Sequence, residues 1–182
     1  MQAVILAAGK STRAYPLTIT KPKPLLKVAN KALLQHNLDN LKGIVNQAVI
    51  VVGYKKNLIK KKFGEKNGNI KITYVEQKEQ LGTGNALLEA EKYIKDEFIS
   101  MHGDDLYSKN DFKNALKSRY SILTGKVKNP QAFGVVVEKN GILADLVEKP
   151  KKFISNNVNT GLYKLDRKIF GLLKNMKKSN RG

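Results

Sequence analysis

Apolar and polar positions run along this chain in two rhythms. Val4 to Ala8 is a continuous apolar run, too short for a helix and of the length expected for a buried parallel strand. Lys31 to Leu41 then sets Leu33, Leu34, Leu38 and Leu41 three and four residues apart, the spacing of an amphipathic helix, with Gly43 to end it. Ala48 to Val52 predicts a second buried strand, closed by Gly53-Tyr54. Asn57 to Phe63 predicts a short helix that turns Leu58, Ile59 and Phe63 inward, leaves Lys60, Lys61 and Lys62 as a solvated face, and stops at Gly64. Ile70 to Val75 alternates as a strand does. Strand, helix, strand, helix, strand in this order implies an α/β fold, a mainly parallel sheet with helices on both faces and ligands at the carboxyl ends of its strands.

The second half continues the theme and adds antiparallel pieces. A polar turn with Gly82 and Gly84 opens a helix through Leu87, Leu88 and Tyr93, and Phe98 to His102 is a further apolar strand. Asn110 to Lys117 reads as a helix capped by Asn110, and Tyr120 to Lys126 as a strand. Asn140-Gly141 is a hairpin signal joining Phe133–Val137 to Ile142–Glu148, so the sheet should be mixed.

Composition narrows the class. At 182 residues the chain fits one domain and is long enough to bury a substantial core. It holds no apolar run near the roughly 20 residues of a membrane span and no secretory leader, so a soluble, cytoplasmic protein is expected. The lack of cysteine excludes disulfides, zinc thiolate sites and cysteine nucleophiles. With 34 basic residues against 15 acidic, the net charge of +19 draws polyanions of every kind. Nearly all of those cations are lysines, with arginine only at Arg13, Arg119, Arg167 and Arg181, which argues against a dedicated nucleic-acid binder.

The first strand empties into Gly9-Lys10-Ser11-Thr12-Arg13, a loop whose backbone N–H groups, hydroxyls and cations suit a phosphate. It is not a Walker A loop, because the glycine required five residues before Gly9 is Val4. Ser11 stands where a G-x-G-x-x-G motif needs its second glycine, so a dinucleotide fingerprint is also absent. Asp104 and Asp105 follow Gly103 at a strand end, where adjacent carboxylates are poorly explained by packing and suit a hard cation such as Mg2+ beside a triphosphate. His102 and His36 read as packed histidines rather than ligands.

The string Leu6-Ala7-Ala8-Gly9-Lys10-Ser11-Thr12-Arg13, the Pro16-Leu17-Thr18 that follows and Lys21-Pro22-Lys23-Pro24-Leu25-Leu26 together resemble the opening signature of the sugar-1-phosphate nucleotidylyltransferases. Gln77 to Leu87, with Gln80-Leu81-Gly82-Thr83-Gly84, resembles the second block of that family, and Gly103-Asp104, Phe133 to Val136, Val147 to Pro150 and Asn159 to Tyr163 resemble the rest in order. The resemblance implies a Rossmann-like three-layer α/β/α sandwich with a mostly parallel, mixed sheet. It implies a loop from Leu6 to Arg13 around a nucleoside triphosphate, Gln77, Gln80, Gly82 and Thr83 around the base, and Asp104 on Mg2+. It further implies that Arg13 and Lys23 act in catalysis, Arg13 on the β and γ phosphates and Lys23 on the α phosphate. Gly134, Glu148 and Asn159 would hold sugar hydroxyls, and Lys149 the sugar phosphate. The second block looks more like that of uridylyl and thymidylyl members than that of guanylyl ones, which favours UTP or dTTP.

The usual loop is G-x-G-T-R, so Ser11 is a departure: serine tolerates positive φ less well than glycine, while its hydroxyl can contact a phosphate. The implied reaction joins the nucleotidyl group to a sugar 1-phosphate, of glucose or N-acetylglucosamine, and releases pyrophosphate. Ser179 to Gly182 matches the segment that in the family leads toward a second metal-binding Asp, so residues 1–182 are expected to be a catalytic domain lacking its C-terminal end, without a second domain. Two other classes stay open at this level, a catalytically silent nucleotide- or sugar-phosphate-binding module and a basic RNA-binding domain. Homo-oligomerisation is also open.

Overall fold

Residues 1–176 are described by a computed structural model, so the Ser179–Gly182 segment lies outside the described residues. In chain order the first half holds β1 (Gln2–Ala7), β2 (Lys27–Val28), β3 (Lys31–Ala32), α1 (Leu33–Asn40), β4 (Gln47–Val52), α2 (Lys56–Phe63), β5 (Lys66–Asn67) and β6 (Ile70–Glu76). The second half holds α3 (Thr83–Glu89), β7 (Phe98–His102), α4 (Lys109–Ala115), β8 (Ser121–Lys126), β9 (Gly134–Lys139), β10 (Ile142–Glu148), β11 (Asn157–Leu165) and α5 (Lys168–Asn175).

The buried strands make one nine-stranded sheet in the order β10-β9-β11-β7-β1-β4-β6-β5, with β8 also pairing β11. β1 lies parallel to both β4 and β7, and β4 parallel to β6. β11 then runs antiparallel to β7, which gives the mixed character expected from the hairpin. Alternation along the central strands sends side chains to two cores. Ala3, Ile5 and Ala7 of β1 join Ala48, Ile50 and Val52 of β4 under Leu34 and Leu38 of α1, Ile59 and Phe63 of α2, and Phe112 of α4. Val4, Val49 and Val51 face the other way, beneath Ala86 and Leu87 of α3 and Phe170 of α5. The result is the three-layer α/β/α sandwich, in which each fully buried leucine or isoleucine contributes about 2 kcal/mol.

Several boundaries differ from the sequence reading. α1 begins at Leu33 rather than Lys31, because Lys27–Val28 and Lys31–Ala32 pair as a short antiparallel hairpin turned by Ala29 and Asn30, both at positive φ. The cap of α4 is Ser108, not Asn110: the Ser108 hydroxyl accepts from the Asp111 N–H while the Asp111 carboxylate accepts from the Ser108 N–H. Besides the short strands β2 and β5, two longer elements have no counterpart in the sequence reading. The block from Asn159 is the middle of the long β11, and α5 buries Phe170 in a stack on Phe98, with ring centroids 5.6 Å apart. Among the described residues, no helix is long and apolar enough to cross a membrane.

Register fixes where a site can form. Ala7 pairs Val52, Val52 pairs Glu76 and Leu6 pairs His102, so the loops after β1, β4, β6 and β7 all leave from one end of the sheet.

Candidate active site

The loop after β1 is held by its neighbours as well as by its own turn at Thr12–Ala14. The Ala8 carbonyl accepts from the Tyr54 N–H at 3.1 Å and from Gln80 Nε2 at 3.0 Å, joining three strand-end loops at one oxygen. Gly53 permits this approach, since a Cβ there would lie 2.7 Å from that oxygen. Ser11 adopts the left-handed conformation, φ 54° and ψ 42°, at the position where the resembled signature carries glycine. The Thr18 hydroxyl, fully buried, donates to the Ser11 carbonyl at 3.0 Å, and the Tyr54 hydroxyl donates to the carbonyls of Thr18 and Ile19.

Beyond this loop the chain folds back through Pro22 and Pro24, both buried, and presents Lys23 between them. Lys23 Nζ lies 3.0 Å from Asp104 Oδ2, with each side chain about one third exposed. Asp104 and Asp105 follow Gly103, whose N–H donates to the Leu6 carbonyl at 2.8 Å and whose missing side chain lets the loop pass Ala7. The acidic loop is pinned from α1: fully buried Asn37 donates to the Asp105 carbonyl at 2.7 Å and accepts from the Tyr107 N–H at 3.2 Å. The Asn40 side chain donates to the Tyr107 carbonyl at 2.8 Å, and the Tyr107 hydroxyl donates to Thr160 of β11 at 2.7 Å. Burial pushes that hydroxyl's pKa well up, so it stays a donor at any ordinary pH.

His102, Asp104 and Asp105 bring one ligand atom each within 4.8 Å of one another, a donor set that can hold a divalent cation. His102 Nδ1 lies 3.3 Å from Asp105 Oδ2, and this hydrogen bond, with Lys23 nearby, holds the Asp105 carboxyl below its usual range against the effect of burial. The imidazole also packs against the backbone of Gly161, where a Cβ would be 2.4 Å from Nδ1. Against the expectation of a packed residue that is no ligand, His102 is about one third exposed, lines the cleft and belongs to this donor set. His36 sits elsewhere, its Nε2 donating to the Val28 carbonyl at 2.9 Å.

These groups surround a cleft of about 780 Å³. Of the residues singled out from the sequence, Leu6, Ala8, Gly9, Ser11, Arg13, Lys23, Gln77, Gln80, Gly82, Thr83 and Asp104 line it. Ala7 lies buried behind, and Lys10 and Thr12 stand exposed on the loop, outside the cleft wall. Gln77 is almost fully buried and donates from Nε2 to the Gly82 carbonyl and to Asn85 Oδ1, so that its amide nitrogen shapes the turn that starts α3.

The four sugar-site candidates gather in a second group beside the first. Gly134 and Glu148 are register partners at the open end of the β9–β10 hairpin. A Cβ on Gly134 would lie 3.1 Å from Glu148 Oε2 and 3.8 Å from the Asn159 Cβ, so the three converge on one spot. Asn159 accepts from the Gly161 N–H at 2.8 Å and donates to the Tyr163 hydroxyl. Lys149 takes positive φ, its N–H donating to the Phe133 carbonyl and its Nζ 3.9 Å from Glu148 Oε1. Gly161 joins the two groups, packed on His102 and bonded to Asn159.

Sequence reasoning missed the supports: Asn37, Asn40, Tyr54, Asn85, Tyr107 and Gly161. Gly53 and Tyr54 left a trace as the pair that closes the second strand, and Asn85 and Gly161 fall inside quoted blocks without a role of their own.

Comparison with known proteins agrees with this geometry. A family model described as nucleotidyl transferase matches residues 2–182. The chain is 43% identical, over its whole length, to the bifunctional protein GlmU of Methanocaldococcus jannaschii, of which it spans 44%. It is 37% identical to the UTP–glucose-1-phosphate uridylyltransferase AglF of Haloferax volcanii, all of the chain matching 79% of that protein. Among solved structures, a glucose-1-phosphate thymidylyltransferase of Bacillus anthracis, described as putative and in complex with sucrose, superposes with a TM-score of 0.87 at 29% identity, over 100% of this chain and 78% of that one. Family model, sequence relatives and superposition converge, and the chain belongs to the nucleotidyl transferase family.

Proposed function

We propose that this chain carries out nucleotidyl transfer from a nucleoside triphosphate, UTP or dTTP, to glucose 1-phosphate or N-acetylglucosamine 1-phosphate, releasing pyrophosphate and forming a nucleotide sugar. One observation carries this reading: Arg13, Lys23 and Asp104 line a single cleft, and the Gly134, Glu148 and Asn159 cluster adjoins it through Gly161 and His102. A volume of about 780 Å³ is in the range of ligand-sized clefts.

In this reading a sugar-phosphate oxygen attacks the α phosphorus, the bond from that phosphorus to the bridging oxygen breaks, and pyrophosphate leaves. The attacking oxygen is already ionised at neutral pH, so alignment and charge neutralisation carry the reaction rather than a general base. Arg13 and the backbone of Gly9 and Ser11 would hold the outer phosphates, and Lys23 the α phosphate. Gln77, Gln80, Gly82 and Thr83 would flank the base. Gly134 would leave room for the sugar, Glu148 and Asn159 would accept and donate to its hydroxyls, and Lys149 would meet its phosphate. Asp104 would hold Mg2+, with Asp105 and His102 beside it; when bound, the cation supplies neutralisation of phosphate charge.

The test is pyrophosphate release with UTP or dTTP and each of the two sugar 1-phosphates. Release that requires both substrates and a divalent cation is the expected result. Triphosphate binding without release would assign the chain to a silent binding module instead.

A further inference from the structure

A second cavity, of about 600 Å³, opens between the β2–β3 hairpin and α2. Lys21, Lys27, Asn30, Lys31, Lys61 and Lys62 line it above an apolar floor that includes Leu25 and Leu58, and no acidic side chain is among its lining residues. Lys31 is neutralised by Asp39 at 2.9 Å, but Lys21, Lys27, Lys61 and Lys62 have no ion-pair partner among the described residues. Four uncompensated ammonium groups around one concave volume repel each other and focus a positive potential there. The carboxyl end of α2 accounts in part for Lys61 and Lys62, since cations favour that pole of a helix. It does not account for Lys21 and Lys27, which arrive from another segment.

We propose that this basic cavity binds a small, multiply phosphorylated anion at a site separate from the cleft of Lys23 and Asp104. Lysines supply point charges for phosphate oxygens, while the Asn30 and Gln35 side chains can hydrogen-bond the rest of the ligand. The hollow is open to solvent on one side, and its volume suits a small molecule. Arginine forks and stacking aromatics, the tools of nucleic-acid readout, are missing from the wall. The cavity is also coupled to the cleft. Lys21 faces one and Lys23 the other, separated only by buried Pro22, and the turn from Pro22 to Leu26 is closed by hydrogen bonds of 2.9 Å. An anion held by Lys21 therefore bears on the placement of Lys23.

Calorimetric titration of the full chain with inorganic tripolyphosphate tests this. To silence the cleft, the titration uses the variant Arg13→Ala/Lys23→Ala, which is expected still to bind one equivalent. Adding Lys27→Ala/Lys61→Ala/Lys62→Ala should weaken that binding by at least about tenfold, as expected for three lost charge-assisted contacts, with the circular dichroism spectrum unchanged. Adding Lys109→Ala/Lys113→Ala/Lys117→Ala removes the same charge elsewhere and should leave it unaltered. No binding in the cleft-silenced variant overturns the proposal, as does equal weakening by both triple substitutions. Retention of single-stranded RNA through Lys27, Lys61 and Lys62 that tripolyphosphate does not displace also overturns it, in favour of a nucleic-acid surface. None of these outcomes depends on whether the cleft turns over.

Discussion

At the scale of single residues, the site depends on backbone positions that few side chains tolerate. Gly161 combines φ 78° with a Cβ direction aimed into the His102 ring. Gly161→Ala should destabilise the fold by about 2–3 kcal/mol, from left-handed strain plus the clash. In a urea-denaturation cycle with His102→Ala, the double variant should lose less than the sum of the two, because removing the ring removes the clash. Ser11 shows the opposite case, a side chain kept where the backbone would prefer none. Asn37 is the buried residue on which the acidic loop hangs, and Asn37→Ala should cost about 2–3 kcal/mol by leaving the Asp105 carbonyl and the Tyr107 N–H without partners. The Asn37 position was not legible in the sequence. An asparagine on the buried face of a predicted helix looks like an exception to the apolar stripe, and its partners lie 68 and 70 residues away.

Among the elements, the helix start at Ser108 separates two readings of the same stretch. Ser108→Ala should cost about 1 kcal/mol, while Asn110→Ala, on an exposed second position of α4, should be nearly neutral; thermal unfolding of the two variants decides between the capping assignments. The β2–β3 hairpin is tied to α1 through Asp39, which takes Lys42, Lys31 and Gln35. Burial acts upward on this carboxyl, yet the ammonium groups of Lys42 and Lys31 and the Gln35 amide together pull its pKa down to about 2. A carboxyl depressed in the folded state stabilises above its unfolded pKa of 3.8, and that contribution is lost as pH falls toward about 2. Asp39→Asn should therefore lower stability at neutral pH by no more than about 1 kcal/mol, the partners being half exposed. It should also flatten the stability profile between those two pH values, measured by urea unfolding. The parallel strands, the first three helices and the 134–148 hairpin were legible because each carries its own periodicity or turn signal. Of the short hairpin at Lys27–Ala32, the strand Lys31–Ala32 falls within the helix expected from Lys31, because local spacing alone does not show that Leu33 N–H bonds back to the Leu26 carbonyl. β11 was hidden because it is defined by pairing with β7 and β8 rather than by a local pattern, and α5 because its buried face is set by the Phe170 stack on Phe98.

Across the whole molecule, the parallel centre and the antiparallel flank have different tasks. The parallel strands β1, β4, β6 and β7 end together, and the ends of β1, β6 and β7 supply the cleft, while β9, β10 and β11 carry the adjoining group, and Gly161 joins the two. Ordered blocks far apart in sequence pointed to one site, and the candidates named from them do lie in two contiguous groups, apart from the buried Ala7 and the exposed Lys10 and Thr12. What joins the groups was out of reach, since it depends on the crossing of β11 beside β7 rather than on any local pattern. The basic cavity was equally hidden: Lys61 and Lys62 read as a solvated face until the fold set Lys21 and Lys27 opposite them.

The central claim is that Lys23, held beside Asp104 at the mouth of the parallel sheet, neutralises charge on a triphosphate during nucleotidyl transfer. The most direct measurement is the initial rate of pyrophosphate release, with saturating UTP or dTTP and sugar 1-phosphate, for Lys23→Ala against the unaltered chain. A fall of at least about 100-fold with unchanged unfolding temperature is the predicted result. Undiminished turnover in a folded Lys23→Ala protein would contradict the account.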